Sequence, residues 1–188
     1  MAFVVGVLAL QGDFKEHITL LRSLNVSAQE VRSVFDLKKC SALIVPGAES
    51  TTISKLLVET GLDLEIKKRV KSGMRFYGTC AGAIIAAKKV TGEKEFKPLN
   101  LIDVQIARNA YGRQADSFEA ELEVKGVGRI KGVFIRAPII KNVGKKVEVL
   151  ARFEGKPVLV RCKNVLLGTF HPELVDEKKI HELFISMI

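Results

Sequence analysis

Cys80 lies in Gly78-Thr79-Cys80-Ala81-Gly82, and ninety residues later the chain reads Phe170-His171-Pro172-Glu173. A cysteine flanked by small residues after an apolar strand is a nucleophile presented on a sharp turn. A histidine with a carboxylate two residues on supplies a base and the group that orients it. Together Cys80, His171 and Glu173 spell a triad for acyl transfer. A thiol attacks as the thiolate, which the amino end of a following helix and a nearby imidazole both favour. Gly78 and Gly82 have a steric reason, because close strand–helix packing at an elbow leaves no room for side chains. Pro172 biases His171 toward extended backbone, where positions i and i+2 share a side, so Glu173 can reach the imidazole.

A second loop, Pro46-Gly47-Ala48-Glu49-Ser50, follows an apolar strand. It reads either as an ordinary strand-to-helix turn or as a set of backbone N–H groups aimed at an oxyanion. It lacks the Gly-Lys-Ser/Thr ending of a phosphate-binding loop. Cys40 and Cys162 lie beside apolar strands without acid–base company and read as structural. His181 is expected on the solvated side of a terminal helix, and His17 on a helix surface.

The elements that must position these residues alternate in type. Phe3–Leu10 is nearly all apolar, as a buried parallel strand requires. Asp13 can cap a helix to about Leu24, with Phe14, Ile18 and Leu21 at helical spacing. Strands are expected at Val26–Val31, Ala42–Val45 and Arg75–Tyr77. Helices are expected from a Ser50 or Thr51 cap to about Gly61, over Leu64–Lys71 and over Ala81–Lys88. The second half is richer in strands: Val104–Ala107, Phe118–Val124, Gly132–Ile135, Val147–Phe153, Pro157–Cys162 and Val165–Thr169. Glu154-Gly155-Lys156 reads as a hairpin turn, and a last helix spans about Glu177–Met187. This pattern predicts one α/β domain over residues 1–188, three layers (αβα) around a mostly parallel sheet. Ligands in such sheets bind at the carboxyl ends of strands, where Pro46-Gly47, Cys80 and His171 all fall.

Bulk composition excludes several classes. With 188 residues, 47% of them hydrophobic, the chain can bury a sizeable core. Phe3–Leu10 is too short for a membrane span and lacks the basic start of a signal peptide, which points to a soluble, cytoplasmic protein. Three cysteines without a CxxC pair argue against a disulfide framework, and three histidines without ligand spacing argue against structural zinc. The net charge of +9 is spread over helix faces, with no nucleic-acid motif, so it reads as solvated surface.

These residues, in this order, resemble the class I (triad-type) glutamine amidotransferases, a flavodoxin-like fold. The finer resemblance is to the subfamily that serves pyridoxal 5'-phosphate synthase. It rests on Gly6–Gly12 with Glu16-His17, on Pro46–Thr52, on Gly78–Gly82, on Arg108–Gln114 with Asp116–Glu119, on Gly132–Pro138, and on Phe170–Leu174. The resemblance implies that Cys80 attacks the side-chain amide of L-glutamine, that His171 shuttles the proton, and that Glu173 orients His171. It implies a glutamyl thioester and release of ammonia to a separate barrel-shaped synthase subunit. It further implies that Ala48, Glu49, Ser50, Arg108, Ile135 and Arg136 hold the substrate and its oxyanion, and that Gln11 and His17 lie at the docking face. No cofactor and no metal are implied. Where this chain has Ala48, the family usually has a second glycine. The competing readings are a non-catalytic module on the same fold and a glutaminase serving another synthase.

Overall fold

The computed structural model describes residues 3–92, 97–108 and 117–188, so the block from Asn109 to Asp116 falls outside it. The first half runs β1 (Val4–Leu8), α1 (Phe14–Ser23), β2 (Ser27–Val31), α2 (Val34–Lys38), β3 (Ala42–Val45), α3 (Ser50–Glu59), α4 (Leu62–Lys71), β4 (Arg75–Thr79) and α5 (Ala81–Ala86). The second half runs β5 (Ala87–Thr91), β6 (Ile102–Ala107), β7 (Phe118–Val124), β8 (Gly128–Phe134), β9 (Ile139–Val143), β10 (Glu148–Phe153), β11 (Lys156–Cys162) and β12 (Val165–Gly168). A 3-10 turn, Pro172–Val175, and α6 (Lys179–Ile185) close the chain.

Among the described residues the central sheet has seven strands in the order β10-β11-β12-β4-β3-β1-β2. Strands β12, β4, β3, β1 and β2 are parallel, and β11 and β10 add on antiparallel. Strand pleating sends alternate residues to opposite faces. Leu43, Val45, Phe76 and Leu167 pack with Ile53, Leu57, Ile66 and Ile84 of α3, α4 and α5. Ala42, Ile44, Tyr77 and Leu166 pack on the other face with Ile18 and Leu21 of α1 and Ile180 and Phe184 of α6. The β7–β8 hairpin joins that second face through Leu122, Ile130 and Phe134. This is the expected three-layer arrangement, extended by a small sheet of β5, β6 and β9. Among the described residues, no helix is long and apolar enough to cross a membrane.

The β10–β11 turn falls where expected: Glu154 and Gly155 both have positive φ, 48° and 76°, as a two-residue hairpin of this hand requires. Three local expectations need correction. The helix after the elbow ends at Ala86, and Ala87–Thr91 leaves as strand β5. Glu49, not Ser50 or Thr51, caps α3: its carboxylate accepts from Thr51 N at 3.0 Å and Thr52 N at 2.7 Å. Helix α2, held by Ser33 Oγ accepting from Asp36 N, and strand β9 are additional elements.

Candidate active site

Strands β3, β4 and β12 are adjacent and parallel, so their carboxyl ends share one edge. Cys80 follows β4 with φ 46° and ψ −102°, a backbone state that side chains rarely adopt. The surroundings enforce it. Cys80 N donates to Gly168 O at 2.9 Å, and Ile84 N donates to Cys80 O as α5 begins. A Cβ on Gly78 would lie 2.6 Å from the carbonyl carbon of Gly82, and one on Gly82 would lie 2.1 Å from Val45 O. Both glycines are therefore required by close approach of strand and helix.

His171 follows β12, and its N–H donates to Val133 O at 2.7 Å, which ties the loop to β8. Its backbone is extended (φ −114°, ψ 89°), as Pro172 favours. Glu173 instead sits in the 3-10 turn, and from there its Oε1 meets His171 Nδ1 at 2.8 Å. The ring packs so closely on the β3 loop that a Cβ on Gly47 would lie 2.2 Å from His171 Cε1. Burial works against a charged imidazole, but the hydrogen bonds to Cys80 and Glu173 outweigh it and push the His171 pKa up to about 10. Burial likewise opposes a charged Glu173, yet the imidazoles of His17 and His171 hold its carboxyl well below the ordinary range.

A cavity of about 720 Å³ opens over Cys80 and His171. It is lined by Ala48, Glu49, Ser50, Arg108, Ile135 and Arg136, the residues expected to hold substrate. Arg108 reaches across it to Glu49 Oε1 at 3.1 Å and Thr51 Oγ1 at 3.0 Å. Burial would raise the Glu49 carboxyl, but hydrogen bonds from Thr51 and Thr52 lower it to about 2. Gly47 O accepts from Asp13 N at 3.2 Å, and Gln11 Oε1 accepts from Glu49 N at 3.3 Å. Gln11 is exposed and bonded to the loop that carries Ala48.

Two histidine expectations are overturned. His17 and His181 are both fully buried, not surface residues. His17 lies on the apolar stripe of α1 with Phe14, Ile18 and Leu21, a spacing that gives its burial away. Its Nδ1 meets His181 Nε2 at 2.8 Å, and its Nε2 faces Glu173 Oε1 at 3.4 Å. A ring closed off inside the protein does not itself face a partner. Asp13 also goes beyond the helix-capping reading: it makes no side-chain cap, and its Oδ2 lies 3.6 Å from His171 Nδ1 at the cavity wall. Burial raises its carboxyl. Asp13, His171 and Glu173 offer ligand atoms within 4.8 Å of one another. The 2.8 Å Nδ1–Oε1 spacing is that of a hydrogen bond, so the pair reads as holding a proton.

A profile of the SNO glutamine amidotransferase family matches residues 7–188. The chain belongs to that family. Among curated relatives, a pyridoxal 5'-phosphate synthase subunit PdxT from Thermus thermophilus is 51% identical over 188 residues, covering 100% of this chain and 98% of its own. Proteins of the same name from Thermoplasma acidophilum and Streptococcus pneumoniae are 47% and 46% identical, over 98% and 97% of this chain and 92% and 96% of theirs. A crystal structure described as a glutamine amidotransferase superposes with TM-score 0.94 at 50% identity, covering 97% of each chain. PurLQS from Thermotoga maritima, 17% identical with TM-score 0.74 over 99% of each chain, shares the fold. Membership of the amidotransferase family makes the Cys80 elbow and the cavity above it the place to look for chemistry.

Proposed function

We propose that this chain, as one domain, hydrolyses L-glutamine to L-glutamate and ammonia and passes the ammonia to a separate pyridoxal 5'-phosphate synthase subunit. The observation that carries this reading is the meeting, over one cavity, of a cysteine on a strained elbow with a histidine–glutamate pair 2.8 Å apart. The relatives named PdxT support the synthase as destination.

The reaction has two halves. With the proton on His171, the Cys80 thiolate attacks the side-chain amide carbon of glutamine. The carbonyl oxygen takes the charge, and backbone N–H groups at Ala48 and Ala81 are the donors for it. His171 protonates the amide nitrogen, the C–N bond breaks, and ammonia leaves a γ-glutamyl thioester on Cys80. Water then gives a proton to His171 and attacks the thioester carbon. The C–S bond breaks, glutamate departs and Cys80 is restored. Glu173 holds the His171 tautomer and stabilises its charged form throughout. Arg108 and Arg136 are guanidiniums for the substrate carboxylate, and Glu49 beside Arg108 suits a zwitterionic amino acid. Ser50 and Ile135 complete the wall.

Docking of the synthase acts through Gln11, whose side chain bonds the loop bearing Ala48. The chemistry calls for no cofactor or metal, and a cytoplasmic hetero-oligomer with no nucleic-acid or membrane partner fits it. The test is glutamate release from glutamine by this chain alone and with the synthase subunit. Strong release with the synthase is expected; no release in either mixture would overturn the proposal.

A further inference from the structure

All three histidines of the chain are linked to one carboxylate, His171 and His17 directly and His181 through His17. His171 Nδ1 lies 2.8 Å from Glu173 Oε1, and His17 Nε2 lies 3.4 Å from the same oxygen. His17 Nδ1 lies 2.8 Å from His181 Nε2. The Glu173 side chain and the His17 side chain are both wholly removed from solvent, and Glu173 Oε2 has no hydrogen-bond partner among the described residues. A buried carboxylate needs donors, and a missing one costs more than a present one gains. One oxygen therefore carries all of the anchoring, from two imidazoles on different elements.

We propose that His17 is a positioning residue for the triad: its Nε2–H holds the Glu173 carboxylate where His171 can use it, and His181 sets the His17 tautomer. This rests on the triad reading of Cys80, His171 and Glu173. The logic of the protons is restrictive. A nitrogen facing a carboxylate must bear hydrogen, so His17 Nε2 is protonated. Thr79 Oγ1, 3.4 Å from the same nitrogen, shares that hydrogen. In the proposed arrangement that is the ring's one proton, so Nδ1 is bare and His181 Nε2 donates to it. That in turn leaves His181 Nδ1 without a proton, which agrees with its having no acceptor among the described residues. Burial pushes the His181 pKa well down, so the ring stays a single-proton donor through neutral pH. The Tyr77 ring stands edge-on to both, 6.4 Å from His17 and 5.8 Å from His181, and walls the pair against displacement. The donor chain runs from α6 through α1 to the catalytic turn, linking three separate elements to one oxygen.

The experiment has two arms on the full chain. In the first, the unmodified protein is labelled with 15N-histidine, and NMR reads which nitrogen of each ring is protonated. Protonated Nε2 and bare Nδ1 at His17 and His181 are expected; a proton on His17 Nδ1 with bare Nε2 overturns the proposal. This arm needs no turnover, so it stands whether or not glutaminase activity is found. In the second, His17→Leu and His17→Gln are compared with the parent, with the synthase present. Leu should lower kcat on the order of 10-fold, the size that outer partners of a metal-bound histidine carry, with KM within about twofold. Gln, which can present an N–H near the same place, should recover most of the loss. A folded Leu variant with parental kcat, or equal losses in Leu and Gln, overturns the proposal. Should Leu fail to fold, the tautomer measurement and the Gln variant decide.

Discussion

Cys80 and Gly168 are joined by a 2.9 Å backbone hydrogen bond that locks the end of β4 to the end of β12. Those two strands lead to Cys80 and His171, the proposed nucleophile and base, so this bond fixes the distance across which the proposed triad works. Register along the pair runs from Val165↔Phe76 to Gly168↔Thr79, so Cys80 follows the last pair directly and His171 comes three residues after it. The precision of the site is therefore a property of the sheet, and the loops only finish it.

In the proposed mechanism Glu173 reaches the chemistry only through His171, so its loss should be milder than loss of the base. Glu173→Gln keeps the shape and removes the charge. Glutamate release should fall strongly, yet by about 10- to 100-fold less than in His171→Ala. Steady-state kinetics on both variants check this. Equal losses would mean that Glu173 does more than orient.

Two histidines bend the stability curve in opposite directions. His171 has its folded pKa raised to about 10, so its contribution is complete below the unfolded value near 6.5 and is lost as pH rises toward 10. His181 has its folded pKa depressed to about 3, so the unfolded chain takes up a proton first as pH falls below 6.5. The groups facing His181 are His17, Glu173 and Tyr77. Glu173, with its carboxyl held low, adds a further loss below about 4.5. Thermal unfolding midpoints should peak near pH 6–7 and fall on both sides. His181→Gln should flatten the descent between pH 6.5 and 5. A parent curve flat from pH 5 to 9 would contradict the assignment.

Ala48 is not in the positive-φ region, and the neighbouring Gly47 carbonyl is held by Asp13 N. A glycine there would open conformations that alanine disfavours by about 1 kcal/mol, roughly fivefold in population. Ala48→Gly should change the ratio of activity with synthase to activity without it. Assays of both proteins in both states read that ratio directly, and an unchanged ratio removes Ala48 as a determinant of partner dependence.

The meeting of Cys80, His171 and Glu173 was legible because these residue types are rare in combination and Cys80 and His171 each come after an apolar strand. Strands β1, β3 and β12 were legible because sheets covered on both faces demand continuous apolar runs. Gly78 and Gly82 were legible because close backbone approach explains glycine on both sides of Cys80. Strand β5 was not legible: Ala81–Lys88 continues a helical composition, and only pairing of Ala87–Thr91 with β6 turns it. The Glu49 cap was hidden because a glutamate is a less usual cap than the serine and threonines beside it. The His17–His181 contact joins residues 164 positions apart, which no local pattern announces, although the α1 stripe marks His17 as inward-facing.

The most direct test of the account is glutamate release by Cys80→Ala beside the parent, with saturating glutamine and the synthase subunit present. The account predicts no turnover above background in the variant while its docking to the synthase is retained. Turnover comparable to the parent would show that Cys80 is not the nucleophile, and the mechanism built on it would fall.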